Sequence, residues 1–248
     1  MGTGDRRQPG LSTLHTKNKQ MAIYFTDASF KFLRGIARHN DRTWFQAHKA
    51  DYDAHVREPF QRLLTDLQPV LAGVTPHYRS EPKGVGGSLF RIQRDTRFAN
   101  DKTPYKTWQG ARLFHERGRQ VEAPSFYVQI QPDNCFIGAG LWHPEPATLR
   151  RVRHFILDNP GSWKAAAHDA KFRRRFDLDD SEMLTRMPRG FPDDFEFAGD
   201  LKRKNFVAYR AFDDDVMTGP RLLRTLETDL QGLSRFVDYL CAALDLEF

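Results

Sequence analysis

The chain has 248 residues, of which 40 % are hydrophobic, 12 % aromatic and 28 % charged. That is enough apolar material for a sizeable core and too much for a disordered chain. No apolar run approaches the roughly 20 residues of a membrane span, and two cysteines cannot build a disulfide scaffold.

The formal charge of +6 invites a nucleic-acid reading, so its location matters. Residues 1–20 are polar and carry Arg6, Arg7, Lys17 and Lys19 against Asp5, which leaves +3 there and +3 on the remainder. This stretch reads as a disordered N-terminal extension, with Met21 as the natural start of a single domain over 21–248. The N-terminus lacks the charged-then-apolar pattern of a secretory signal. Cys135 and Cys241 lie in apolar runs and read as small buried hydrophobes rather than a disulfide or metal ligands. A reducing cytoplasm is the expected compartment.

Thr26 or Asp27 caps a short helix whose apolar face is Phe30, Leu33, Ile36 and Ala37. Asn40-Asp41 turns the chain and caps a second helix, with Trp44, Phe45, His48, Tyr52 and Val56 at spacings of three and four. Pro59 can begin a new helical turn, and Phe60, Leu63, Leu64, Leu67, Val70 and Leu71 carry the period on to Gly73 and Pro76. The period then changes. Leu89–Ile92, Trp108–Phe114, Phe126–Ile130 and Cys135–Trp142 read as strands, separated by turn residues short enough to favour antiparallel pairing. Helical spacing returns with Leu149, Val152, Arg153, Ile156 and Leu157 and stops at Asn159-Pro160. Residues 161–200 show no clean period, and Asn205–Phe212 reads as one more strand. The last segment is the clearest: Leu222, Leu226, Leu230, Leu233, Val237, Leu240 and Leu244 form one stripe, the packing face of a long helix. Helices at both ends around a block of strands predict an α+β fold, a mainly antiparallel central sheet flanked by N-terminal helices and a long C-terminal helix.

The run from Arg91 to Thr107, with Arg94-Asp95-Thr-Arg97-Phe98 and Asp101-Lys102-Thr-Pro104-Tyr105-Lys106, resembles the signature of the family called domain of unknown function 2461. Asn40-Asp41-Arg42-Thr43-Trp44-Phe45, Phe136 to Trp142 and Pro188-Arg189-Gly190-Phe191 are similar to further parts of its pattern. The resemblance extends from about Phe25 to the C-terminus. It implies no established activity and brings no catalytic residues with it.

The chemistry of that segment therefore rests on its residues. Arg91, Arg94, Arg97, Lys102 and Lys106 face only Asp95 and Asp101, a local surplus of +3 at the point where a strand enters a loop. Two carboxylates accept fewer hydrogen bonds than five cations donate, so some donors need water, backbone or a ligand. Guanidinium forks suit phosphate or carboxylate oxygens, and the Tyr105 hydroxyl adds a donor. The expected ligand is an anionic small molecule, phosphorylated or carboxylated. Arg91, Arg94 and Arg97 would clamp it, Lys102 and Lys106 would act as point charges, and Asp95 would orient the clamp or serve as a general base. Phe98 is expected to anchor the loop by packing inward. The competing readings are a salt-bridged staple with no ligand, as in a structural or interaction protein, and a nucleic-acid contact.

Other features carry less. Gly84-Val85-Gly86-Gly87-Ser88 is followed by a strand, not a helix, and so reads as a turn rather than a phosphate loop. Gly138 and Gly140 bare one strand face for an aromatic, a neighbouring backbone or a ligand. No histidine pair is backed by a carboxylate at ligand spacing, so no metal or other cofactor is implied. The basic triplets Arg150/Arg151/Arg153, Arg173–Arg175 (with Lys171) and Lys202–Lys204 read as solvated faces.

Overall fold

The computed structural model describes residues 21–248. The predicted N-terminal extension lies outside the described residues. Helix α1 is Asp27–Arg38, and its first turn is closed by the Thr26 N–H donating to Ser29 Oγ at 3.0 Å. It buries Phe30, Phe32, Leu33 and Ile36, while Ala37 stays exposed. Helix α2, Arg42–Ala47, is capped by Asp41, which accepts the Trp44 N–H at 2.8 Å.

The predicted second helix is not continuous. A break at His48 separates α2 from α3, Lys49–Tyr52, and a π-helical turn over Asp53–Arg57 precedes α4, Glu58–Val74. The wide turn lies just before Pro59, which has no N–H to give to a regular α-helical bond.

The sheet has six strands in the order β1-β2-β3-β4-β6-β5, every neighbouring pair antiparallel. They are β1 Tyr78–Arg79, β2 Gln109–His115, β3 Ser125–Ile130, β4 Cys135–Leu141, β5 Asp177–Leu178 and β6 Phe206–Phe212. The α+β expectation holds. Leu89–Ile92 is the exception among the predicted strands: it makes only an isolated bridge, Leu89 to Ala111, because the chain leaves the sheet edge at Arg91. The two-residue strands β1 and β5 are too short to show an alternation in sequence.

One face of the sheet packs into the core through Leu113, Phe126, Val128, Ile137 and Ala208. Against it lies α10, Leu222–Ala243, which buries Leu222, Leu226, Leu230, Leu233, Val237 and Leu240. Inside this layer Asp229 accepts from Arg175 Nε at 2.6 Å and Arg210 Nη1 at 2.9 Å. The remaining helices are α5 Pro146–Asp158, α6 Pro160–Ala167, α7 Ala170–Arg173, α8 Ala198–Leu201 and α9 Asp214–Thr218. Asp200 of α8 ties the weakly patterned 161–200 region together, accepting from Trp163 Nε1 at 2.8 Å and Arg203 Nε at 2.8 Å and pairing with His168 Nε2 at 2.6 Å.

Each basic triplet turns one side chain inward. Arg175 and Arg203 hold the two buried aspartates, and Arg153, 7 % exposed, donates to the Arg203 carbonyl at 2.8 Å. The reading of these triplets as wholly solvated faces is corrected, because buried carboxylates and carbonyls need charged donors. Gly138 and Gly140 are also resolved. At Gly140 the neighbouring strand fills the space, since a Cβ would lie 1.9 Å from the Phe206 carbonyl oxygen, whereas at Gly138 a Cβ would come no closer than 3.3 Å to its neighbours. No described helix is long and apolar enough to cross a membrane.

Candidate functional site

The basic segment leaves the sheet at Arg91 and returns at Trp108 as an irregular hairpin. Its arms are joined by Arg94 N–H to the Pro104 carbonyl at 2.9 Å, Lys106 N–H to the Ile92 carbonyl at 2.8 Å, and a bridge between Gln93 and Tyr105. Polar bonds close the tip. Asp95 takes a two-pronged contact from Arg97, Nε at 2.9 Å and Nη2 at 2.7 Å. Asp101 accepts the Thr103 N–H at 2.9 Å and pairs with Arg94 Nη1, which also donates to Thr103 Oγ1. Both carboxyls are held down at about 2, Asp95 first by the Arg97 side chain and Asp101 first by the Thr103 N–H and then by Arg94. A carboxylate held so low is a weak base, which argues for Asp95 as an orienting group rather than a proton acceptor.

Phe98 does not anchor this loop. It is 94 % exposed at the tip, with the Arg97 guanidinium over its ring at 5.8 Å. The ion pairs and the turn at Asp101 already fix the loop, so no apolar anchor is required.

The hairpin is tied to the helical layer by Asn40. The Asn40 amide brackets the Tyr105 peptide from both sides, and the Tyr105 ring stacks on buried Phe45 at 4.2 Å. Between the hairpin and the α1–α2 junction lies a recess of about 590 Å³. Ala37 and Asn40 form one wall, Trp108 and Thr107 another, and Arg94, Thr103, Tyr105 and Lys106 face it from the hairpin, with Asp95 and Asp101 at its rim.

Lys106 is the unusual group. Its ammonium donates to the Arg91 carbonyl at 2.7 Å and lies 4.9 Å from the Trp108 ring centroid and 5.4 Å from that of Phe90. Among the described residues no carboxylate lies within ion-pair distance of it. Burial lowers its pKa, and the nearby Arg91 charge adds to the effect.

Four of the seven predicted site residues, Arg94, Asp95, Tyr105 and Lys106, line the recess. Arg97 is outside it and spent on Asp95. Lys102 is outside it and donates to the Thr96 carbonyl at 2.9 Å. Arg91 is exposed and does not reach the recess, because the chain turns outward there. The three-arginine clamp is therefore not assembled in one place. The Tyr105 hydroxyl has no hydrogen-bond partner among the described residues. Asn40 and Trp108 were not legible as site residues. Asn40 read as a helix cap, but that role belongs to Asp41, and its true partner is 65 residues away.

The glycine-rich stretch at Gly84–Ser88 is a turn, with Ser88 N–H donating back to the Glu81 carbonyl at 2.9 Å. Among the described residues no group of three or more His, Cys, Asp or Glu is placed to hold a metal ion. No curated protein and no solved structure matches the chain. The profile of a family described as "Conserved hypothetical protein (DUF2461)" matches residues 28–239. That span includes the hairpin, Asn40 and the whole sheet, so the chain belongs to the domain of unknown function 2461 family.

Proposed function

We propose that the recess holds the anionic head of a small molecule, a phosphate or a carboxylate, between Lys106 and Arg94. The observation that carries this reading is Lys106, a half-buried lysine lining the recess whose ammonium has a single backbone carbonyl as its hydrogen-bond partner among the described residues. Removing a cation from water without a counter-charge is costly, and an anionic ligand supplies that charge. Arg94 uses only Nη1 on Asp101 and Thr103, so its Nε and Nη2 remain as donors among the described residues. The recess volume falls in the usual range for small-molecule sites, roughly 300–1,000 Å³, and exceeds what a bare phosphate needs.

Half of the cluster has the structural role that the staple reading assigns to it. The Asp95–Arg97 and Asp101–Arg94 pairs close the hairpin, and Lys106 with the unused donors of Arg94 is what a ligand would meet. The two free, buried cysteines accord with a reducing cytoplasm.

Thermal-shift titration with inorganic phosphate, phosphorylated metabolites and small carboxylates tests the proposal, since a ligand that binds only the native state raises its stability. At least one of these anions is expected to raise the melting temperature of the wild type and not that of Lys106→Met. No response to any of them, or an equal response in Lys106→Met, would overturn the reading.

A further inference from the structure

The face of the sheet turned away from the core carries a second candidate site. Core-face residues such as Ala111, Phe126, Ile137 and Ala208 are 0 % exposed. Their alternates are more open: Arg112 is exposed, and Tyr127, Phe136 and Tyr209 are half-buried, although Gln129 on the same face is buried. Across this outer face runs an unbroken line of rings. Phe90 lies 5.7 Å from Tyr127, Tyr127 lies 5.5 Å from Phe136, and Phe136 lies 6.5 Å from Tyr209. Trp108 flanks the line at 6.4 Å from Tyr127.

Glycines keep the surface under these rings low. A Cβ on Gly110 would sit 2.1 Å from the Tyr127 hydroxyl, so Tyr127 lies flat across the neighbouring strand. Gly138 stands opposite both Tyr127 and Tyr209 and raises nothing between them. Single exposed apolar groups are ordinary, whereas a contiguous aromatic path on the solvent side of a sheet calls for a partner.

The charges beside the path favour one kind of partner. Arg112 stands opposite Tyr127 in the strand register, Arg91 follows Phe90, and the Lys106 ammonium lies over Phe90 and Trp108. None of these three cations has a carboxylate within ion-pair distance among the described residues. Asp177, paired with Tyr209 on the edge strand, is the one acid that the strand registers place on this face among the described residues. Flat rings interleaved with unpaired cations fit unstacked bases and their phosphates. A second copy of the chain fits poorly, because a two-fold contact across this face would bring its cations toward their own counterparts.

We infer that the outer face of the sheet binds single-stranded nucleic acid. Bases stack along the line from Phe90 to Tyr209, and phosphates meet Arg112, Arg91 and Lys106. This does not rest on the small-anion reading: Lys106 and Trp108 border both places, but Arg112, Tyr127, Phe136 and Tyr209 do not line the recess.

Fluorescence anisotropy of a labelled oligouridine strand with the full chain tests it, with a blunt RNA duplex of equal length as the comparison. The single strand is expected to bind more tightly than the duplex, with affinity that falls as salt rises. Tyr209→Ala and Phe136→Ala should each weaken binding by about tenfold, the order of one lost base–ring stack. Arg112→Glu, at an exposed position, should weaken binding at least as much without altering the fold, and it carries the test alone if the aromatic variants do not fold. Absence of binding, equal affinity for the duplex, or indifference to Arg112→Glu would overturn the inference. So would a concentration-dependent dimer dissolved by Tyr209→Ala in a protein that binds no oligonucleotide. Loss of oligonucleotide binding in Arg112→Glu with small-anion binding retained would separate the face from the recess, since Arg112 does not line the recess.

Discussion

The side chain of Asn40 acts on Tyr105 as a neighbouring strand would. Its Nδ2–H donates to the Tyr105 carbonyl at 2.9 Å, and its Oδ1 accepts the Tyr105 N–H at 3.0 Å. Two bonds from one side chain thus fix the distance between the helical layer and the basic hairpin, and with it the width of the recess. Asn40→Ala should cost about 1–3 kcal/mol, the range for leaving buried backbone groups unpaired, and should weaken anion binding as well. Urea denaturation and anion titration on the same preparation check both effects. Unchanged stability would mean that the hairpin is held by its own bonds alone.

Lys106 and Arg97 are both cations of the same hairpin, but only Lys106 faces the recess. Lys106→Met retains a chain that packs on Trp108 and removes the charge. It should lower affinity for a phosphorylated or carboxylate ligand by tenfold or more, about 1.4 kcal/mol per factor of ten. Arg97→Ala should leave that affinity unchanged. Calorimetric titration of both variants distinguishes a local site from a diffuse basic surface, on which the two would behave alike.

The same lysine sets a pH dependence. Its pKa lies below the ordinary 10.5, first through burial and then through Arg91. Anion binding needs the protonated form, so affinity should hold at neutral pH and fall before the ordinary lysine range is reached. Asp95 and Asp101 stay ionised until the pH falls to about 2 and contribute no change in this window. A carboxylate ligand, whose own charge is constant over this range, gives the cleanest titration. Arg91→Ala should move the fall to higher pH, and Lys106→Met should flatten it.

Asp229 is fully buried between two guanidinium groups. Asp229→Ala leaves both without a carboxylate, and breaking a buried pair in this way costs about 3–5 kcal/mol. Because Arg175 and Arg210 are about a third exposed and can hydrate in part, the lower end is expected. A loss below about 1 kcal/mol in urea denaturation would show that hydration offsets the break.

Two glycines should respond in opposite directions to alanine. Gly140 has φ +133° and no room for a Cβ, so Gly140→Ala should destabilise strongly or prevent folding. Gly73 lies in α4, where an added methyl group would have nothing within 4 Å, so Gly73→Ala should add about 0.5–1 kcal/mol. Thermal unfolding of the pair checks the sign of each.

The elements that sequence determined are those with a repeated local signal. The leucine stripe of α10, the alternation in β2, β3, β4 and β6, and the cap at Asp41 each depend on neighbours a few residues away, so the α+β architecture was legible. The charge surplus between Arg91 and Lys106 was legible in the same way, since counting donors and acceptors needs no coordinates. Tertiary structure decided which of those cations share a recess. Arg97 and Lys102 found partners within the hairpin, while Lys106 came to line the recess that Asn40 closes by its two bonds to Tyr105, 65 residues away. It also decided that Phe98 stays exposed, and that rings from four separate segments form one line across the sheet. Side-chain contacts between distant segments leave no period in a sequence, because they are set by how the layers pack and not by the local geometry of any one element.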